Sequence, residues 1–399
     1  MTNQKKISVI IPSHDSCEFI EDTLISLDNQ ILKPNEIIII DEDKNNRLKK
    51  IIDKKFNYLN IVFIKNNLKL DPGNNRNAGV AIAKNEIIAF LDIKTIPEKN
   101  WLSEGWKRLA EDNYEVVFGL TKYISNSYFQ KILLYSSYGN ICYKTVPGTI
   151  LLKNKFIYIG NFIENVRSGE DQEWKQRVIF KITKYFIPKK NNLTYSHLPN
   201  NILFLIQKYF LYSIDTAFVE VQKKTKYTYL LILFILSAII VPKWNLFLPN
   251  WDKNILYIPN ITKIYIILLI IIYLLYVLFA IVINYKKNKI NFVFFNLFTY
   301  FLLIIAFLSA FYWNQSIAKW LETSVLYIPH ITKIYLITLS LISIFYRGII
   351  SPYLKKVPMK SIMPFNWIVV GLLGLILDIT KAPAYCIGGL IIPFIKKKK

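Results

Sequence analysis

Cysteine and histidine are scarce, three of each in 399 residues. Cys17, Cys142 and Cys386 lie far apart, which excludes a disulfide framework and a zinc-binding spacing. The histidines do not cluster either. Acidic residues are also short, 27 against 50 Lys and Arg, leaving a formal net charge of +23. That imbalance invites a nucleic-acid reading, but much of the excess flanks apolar segments. Lys286, Lys287 and Lys289, then Arg347, Lys355, Lys356 and Lys360, then Lys396 to Lys399 would all face one side of a membrane. This is the positive-inside pattern, with added attraction to anionic headgroups. Membrane lipids, and no nucleic acid, are the expected partners. A signal peptide is missing too: "MTNQKKISVIIPSHDS" passes from a short basic start into a strand-like run, so the N-terminal domain is expected in the cytoplasm.

What is abundant is apolar. The chain is 53% hydrophobic, and the excess is concentrated after residue 226 in runs such as "YLLILFILSAIIV" and "IYIILLIIIYLLYVLFAIVI". Ile264 to Tyr285 carries no charge and is long enough to cross a bilayer of ~30 Å at ~1.5 Å per residue. The membrane half also repeats itself. "NILYIPNITKIYIILLI" begins at Asn254 and "SVLYIPHITKIYLITLS" at Ser324, each preceded by a loop tryptophan, Trp251 or Trp320. The repeat is a hairpin of span, loop and span, predicted at 227–285 and 290–354, with aromatic residues at one membrane face. The last stretch, 365–395, reads as a re-entrant hairpin, which the Lys-rich end favours, or as one tilted helix interrupted by Asp378 and Lys381. Those two residues are either functional or a local pair at helical spacing. Residues 200–226 read as one or two helices along the membrane interface, or as a buried core helix.

The first half differs. Strand-like runs at 7–11, 36–41, 60–65, 86–92 and 114–120 alternate with helical stretches such as "CEFIEDTLISLDNQ", "NNRNAGVAIAK" and "WLSEGWKRLAED". Such alternation predicts a mainly parallel sheet with right-handed crossovers, over about residues 1–199. Ligands in these sheets bind at the carboxyl ends of the strands. Here those ends carry Pro12-Ser13-His14-Asp15, Asp41-Glu42-Asp43 and Asp92.

Taken in order, "VIIPSHD", Gln30, "PNEIIIIDED", "DPGNNRNAG", "IIAFLDIKTIPEKNWL" and "RSGEDQEWKQR" resemble the family 2 glycosyltransferases of the GT-A fold, over about residues 7–177. The resemblance implies a Rossmann-like α/β GT-A domain, followed here by an all-α multi-span membrane domain at 227–399. It implies a nucleotide-diphosphate sugar donor, held by Pro12, His14, Asp41, Asp43, Arg76, Asp92 and Lys94. Asp41 and Asp43 would accept hydrogen bonds from base and ribose, or simply cap a turn. Arg76, near a helix start, would meet phosphate oxygens, with Gly73 and Gly79 permitting a tight backbone there. Asp171, in "GED", would be the base that takes the acceptor's proton, with Glu170 setting its environment. A helix N-cap is the plainer role for Asp171. Glu173 and Trp174 would border the acceptor. His197 would touch diphosphate or acceptor, or serve structure alone.

Two departures matter. Residues 178–227 contain neither arginine nor tryptophan, so the Q-x-x-R-W of processive polysaccharide synthases is absent. Asp92 matches the first aspartate of the family's metal-binding D-x-D, but the second position is Lys94. A single carboxylate holds Mg²⁺ or Mn²⁺ less well than two. Three readings are open: weakened metal use, metal replaced by the ammonium, or lost activity. The sequence predicts a multi-pass cell-membrane protein with its catalytic domain cytoplasmic. That protein would be a non-processive, inverting transferase passing one sugar to a lipid-linked or cell-surface glycan acceptor. The alternative is a non-catalytic nucleotide-sugar-binding subunit of a glycan-assembly complex.

Overall fold

The computed structural model describes residues 6–217, apart from 15, 44 and 67–70, together with 219, 232 and 340–395. Contacts join the described parts of residues 1–230 and 344–399 in one compact unit, linking segments that the sequence assigns to different domains. The two predicted hairpins, with the Trp251 and Trp320 loops, lie outside the described residues except at 232 and 340–354.

Ile- and Val-rich runs form the expected parallel sheet: β1 (Ile7–Ser13), β2 (Glu36–Asp41), β3 (Ile61–Lys65) and β4 (Ile87–Phe90). β1, β2 and β4 lie inside the domain, covered on both faces, so they read as continuous apolar runs, whereas β3 is the part-exposed edge. Alternate side chains of β1 serve two cores. Val9 and Ile11 pack with α1 (Ile20–Asp28) and α4 (Trp101–Ala110), whereas Ile10 packs with α3 (Pro72–Ile82) and α7 (Glu170–Lys181). Gly79 lets α3 lie on β1, for a Cβ there would stand 2.3 Å from Ile10 Cγ2.

β2 is joined to β3 by α2 (Arg47–Lys55), and β5 (Thr95–Pro97) follows β4. The sheet is larger and less parallel than the sequence predicts. The predicted strand at 114–120 is β6 (Val116–Tyr123), but it does not pair with β4. Between them runs β7 (Cys142–Leu152), antiparallel to both and reached through α5 (Tyr128–Leu133) and a π turn at Leu134–Tyr138. Pro147 and Gly148 interrupt β7 at the place where its register with β6 shifts between Val117 and Gly119. A proline and a glycine inside a run argue against a strand in sequence, but a bulge accommodates them. Following α6 (Lys153–Ile159) and α7, two short strands complete the sheet: β8 (Tyr185–Phe186) and β9 (Leu193–Tyr195). The order is β3-β2-β1-β4-β7-β6-β9-β5, with β8 also on β6.

Residues 200–226 contribute one described helix, α8 (Ile202–Thr216), capped by the Asn201 carboxamide, which accepts from Leu203 N–H at 2.7 Å. Leu203 is 73% exposed, so α8 is not a buried core helix. Beyond a π turn (Tyr346–Ile350) and α9 (Ser351–Leu354) comes α10 (Asn366–Ile395), a single helix. The favoured re-entrant hairpin is therefore replaced by the continuous alternative, since Asp378 and Lys381 sit within helical backbone. Residues 366–385 of α10 are long and apolar enough to cross a membrane. A third core of Leu205, Val370, Leu373 and Leu377 joins α8 and α10 to α5.

Candidate active site

The carboxyl ends of β1, β2 and β4 bring the predicted donor residues together. Ser13 ends β1 beside Asp41, and its hydroxyl donates to Asp41 Oδ1 at 3.0 Å. Asp41 is fully buried and also pairs through Oδ2 with Lys65 Nζ at 2.9 Å. Each of its oxygens thus has a partner within the protein, which fixes the turn that carries Asp43. Pro12 lies in β1 beside Ile40, and His14 follows the strand with 41% of its side chain exposed. Its Nδ1 is 3.5 Å from Glu42 Oε2. Burial, with help from Asp71 and Asp41, pushes Glu42 up to about 7 against the Asn75 hydrogen bond and nearby Arg167. Glu42 stood in the quoted strand end without a role.

Arg76 departs from its expected place on phosphate. It lies in the second turn of α3, only 3% exposed, and its guanidinium joins two carboxylates: Asp92 at 2.9 Å and Glu170 at 3.0 Å. Burial disfavours its charge, but Asp92 and Glu170 outweigh that and raise its pKa above the ordinary value. One buried cation therefore ties the end of β4 to the start of α7. Gly73 allows this approach, for a Cβ there would lie 2.7 Å from Ile163 O and 3.3 Å from Glu170 Cγ.

α7 opens at Glu170 after Gly169, whose φ of +97° suits the left-handed region. Asp171 is not the N-cap; it is the second residue of the helix, with Oδ1 accepting from Gln172 N–H at 2.8 Å. Helical spacing then divides the motif. Glu170, Trp174 and Val178 are buried at four-residue intervals. Burial, then Asp171, raises the Glu170 pKa, and Arg76 opposes the rise. Asp171 and Lys175 share the neighbouring face, 3.9 Å apart, with 29% of the Asp171 side chain exposed.

Trp174, expected beside the acceptor, is corrected here, and Glu173 takes a partner within the protein. Trp174 is fully buried among Phe90, Phe156 and Phe162, with Nε1 donating to Gly160 O at 3.1 Å. Glu173 forms a bidentate pair with Arg177 at 2.7 and 2.8 Å, and Arg177 in turn holds the Ile159 and Asn161 carbonyls. Both residues build the scaffold under Asp171. Gln30 is structural as well: its carboxamide donates to Glu98 O and accepts from Leu102 N–H, joining α1 to α4.

Asp92 keeps 38% of its side chain exposed. Two residues on, the Lys94 ammonium lies 4.5 Å from the Phe19 ring, which meets the His197 ring at 4.4 Å. Burial and Lys94 lower the His197 pKa. Lys208 of α8 belongs to the same charged neighbourhood: burial, then Lys94 and Arg167, bring it down to about 8. Sequence reasoning did not single out Lys208; its signal was one lysine within the apolar "ILFLIQKYFLY". Three cationic side chains therefore gather beyond the strand ends. For a divalent ion the fit is poor. Asp92 already holds Arg76, the D-x-D partner is a cation, and no group of three or more His, Cys, Asp or Glu forms among the described residues.

Residues 8–213 match the profile of Glycosyl transferase family 2. An uncharacterized glycosyltransferase of Methanocaldococcus jannaschii is 26% identical over 228 residues, 53% of this chain and 77% of that protein. A GalNAc(5)-diNAcBac-PP-undecaprenol beta-1,3-glucosyltransferase of Campylobacter jejuni is 30% identical over 120 residues, 29% of this chain and 37% of that enzyme. The structure of S. aureus TarS 1–349 in complex with UDP-GlcNAc aligns with a TM-score of 0.39 at 20% identity, over 53% of this chain and 66% of that one. With the profile match spanning half the chain, the protein is a glycosyltransferase and belongs to family 2.

Proposed function

We propose that the chain is a membrane-anchored, non-processive, inverting glycosyltransferase acting from the cytoplasmic face on a lipid-linked or cell-surface glycan. The observation that carries this reading is the Arg76 bridge, which holds donor-side Asp92 and base-side Glu170 on one guanidinium next to Asp171. An acceptor oxygen attacks the anomeric carbon of the donor sugar. The bond to the diphosphate breaks on the opposite face, and its electron pair leaves with the nucleoside diphosphate. Asp171 takes the hydroxyl proton, so one displacement inverts the centre. Lys94 and Lys208 supply positive charge toward the leaving diphosphate, in the role a divalent ion fills in the family. Holding donor and acceptor together contributes most of the remaining acceleration.

Support for the membrane comes from α10 and from exposed apolar side chains on neighbouring elements, such as Phe204 (57%), Leu354 (66%) and Phe365 (74%). Lys356 and Lys360 stand among them, suited to anionic headgroups. The name of the Campylobacter relative, with its undecaprenol diphosphate, supports a lipid-linked acceptor. Lys94 itself favours the second reading, a subunit that binds nucleotide sugar without turnover. Incubating the full chain in EDTA with a panel of labelled nucleotide sugars and a membrane lipid extract separates the two. Label passing into the lipid fraction is expected; binding of a nucleotide sugar with no transfer, in EDTA or in Mn²⁺, would leave only the second reading.

A further inference from the structure

A cluster of charge lies where α10 packs against the preceding π turn and α8. Asp378 is 4% exposed and ion-paired with Arg347. Gly374, one turn earlier on α10, makes room for the Arg347 stem, for a Cβ there would lie 3.0 Å from Arg347 Cβ. Lys381 sets its ammonium 4.8 Å from the Tyr209 ring of α8 and is within electrostatic reach of Arg347 and Lys355 as well as Asp378. Lys355 donates to Ser137 O at 2.7 Å. These four groups count three cations and one carboxylate. Charge in so apolar a setting is costly. A purely local pair needs one cation, and among the described residues this neighbourhood holds three.

The same place connects to the catalytic carboxylates. Tyr209 Oη is 3.4 Å from Tyr138 Oη, and Tyr138 stacks on Tyr123 with centroids 4.1 Å apart. Tyr123, at the end of β6, is within electrostatic reach of Asp171 and Asp92. Partly exposed aromatic rings with polar tips suit the mixed apolar and hydroxyl faces of a sugar.

We infer that Arg347, Lys355 and Lys381 bind the phosphate or diphosphate of a lipid-linked acceptor whose sugar extends past the tyrosines toward Asp171. A guanidinium and two ammonium groups match an anion with several oxygens, and the apolar flank of α10 matches its lipid chain. This inference rests on the lipid-linked form of the proposed function.

The test is binding to the full chain in phosphatidylcholine nanodiscs, with geranylgeranyl diphosphate, geranylgeraniol and inorganic pyrophosphate as probes and UDP measured in parallel. The diphosphate lipid should bind at least ten-fold more tightly than either geranylgeraniol or pyrophosphate. Lys381→Met should weaken it about ten-fold and leave UDP unchanged. Because Arg347→Met alone strands buried Asp378, the second variant combines Arg347→Met with Asp378→Leu, and it should weaken the same probe. Pyrophosphate binding as tightly as the lipid diphosphate would make this a site for free anions and overturn the acceptor assignment. Equal binding by wild type and both variants would overturn the site. Should the lipid diphosphate bind through Lys381 while no sugar is transferred, the site stands and the transferase reading alone falls.

Discussion

Replacing Arg76 with methionine should expose how much the site depends on one buried cation. Glu170 is 5% exposed and would lose its direct partner, while Asp171 remains beside it. Removing one member of a buried pair costs about 3–5 kcal/mol, because the remaining charge stays desolvated. The Asp92 contact adds little, since that carboxylate is 38% exposed and salt-screened. The penalty must depend on pH. Glu170 already has a raised pKa, so its protonated form is the one the fold favours; stability is lost as pH rises through that pKa. Without Arg76 the pKa rises further and the loss continues to higher pH. Each unit of additional shift corresponds to about 1.4 kcal/mol. Thermal unfolding of the full chain in detergent should show a small deficit for Arg76→Met at pH 6 and the full deficit near pH 9. Adding Glu170→Gln should recover most of the difference at pH 9. An equal deficit at both pH values, or no recovery, would refute this account of the Arg76–Glu170 pair.

Other outcomes follow from the same geometry. Lys94→Ala should lower the transfer rate by about 3 kcal/mol in activation free energy, measured in EDTA. Lys94→Asp should be worse still in EDTA and partly rescued by Mn²⁺, because it recreates a carboxylate pair with Asp92; full activity of Lys94→Ala would make the lysine a bystander. Lys208, brought down to about 8, loses its charge as pH rises through that value. UDP affinity should therefore fall above pH 8 in wild type and stay flat in Lys208→Arg, which keeps its charge; isothermal titration across that range is the check. Trp174→Ala should cost about 3–5 kcal/mol of stability by leaving a core cavity. UDP affinity per folded molecule should not change, whereas a selective rise in the acceptor KM would restore Trp174 to the acceptor surface.

The α/β core was legible because parallel strands buried on both faces announce themselves as Ile and Val runs, as "EIIIID" does for β2. β7 was not, because Pro147 and Gly148 interrupt it and only a bulge against β6 accounts for them. The sequence puts Asp41 at a strand end and "GED" at a helix start, as the fold does, yet sequence order does not say which way a side chain faces. Asp171 and Trp174 are three residues apart on one helix, and only packing shows that one is part-exposed and the other belongs to the core. Arg76 was legible as a cation near a helix start, but its partners come from residues 16 and 94 positions later. Lys208 and Tyr123 were overlooked for the same reason, since tertiary contact brings them near Lys94 and Asp171.

The most direct measurement is the rate of sugar transfer by Asp171→Asn, compared with wild type at equal donor occupancy. Loss of the base should slow transfer by about 10²–10⁴-fold while UDP affinity stays within a factor of two or so of wild type. Transfer at the wild-type rate by Asp171→Asn would contradict the assignment of Asp171 as the base.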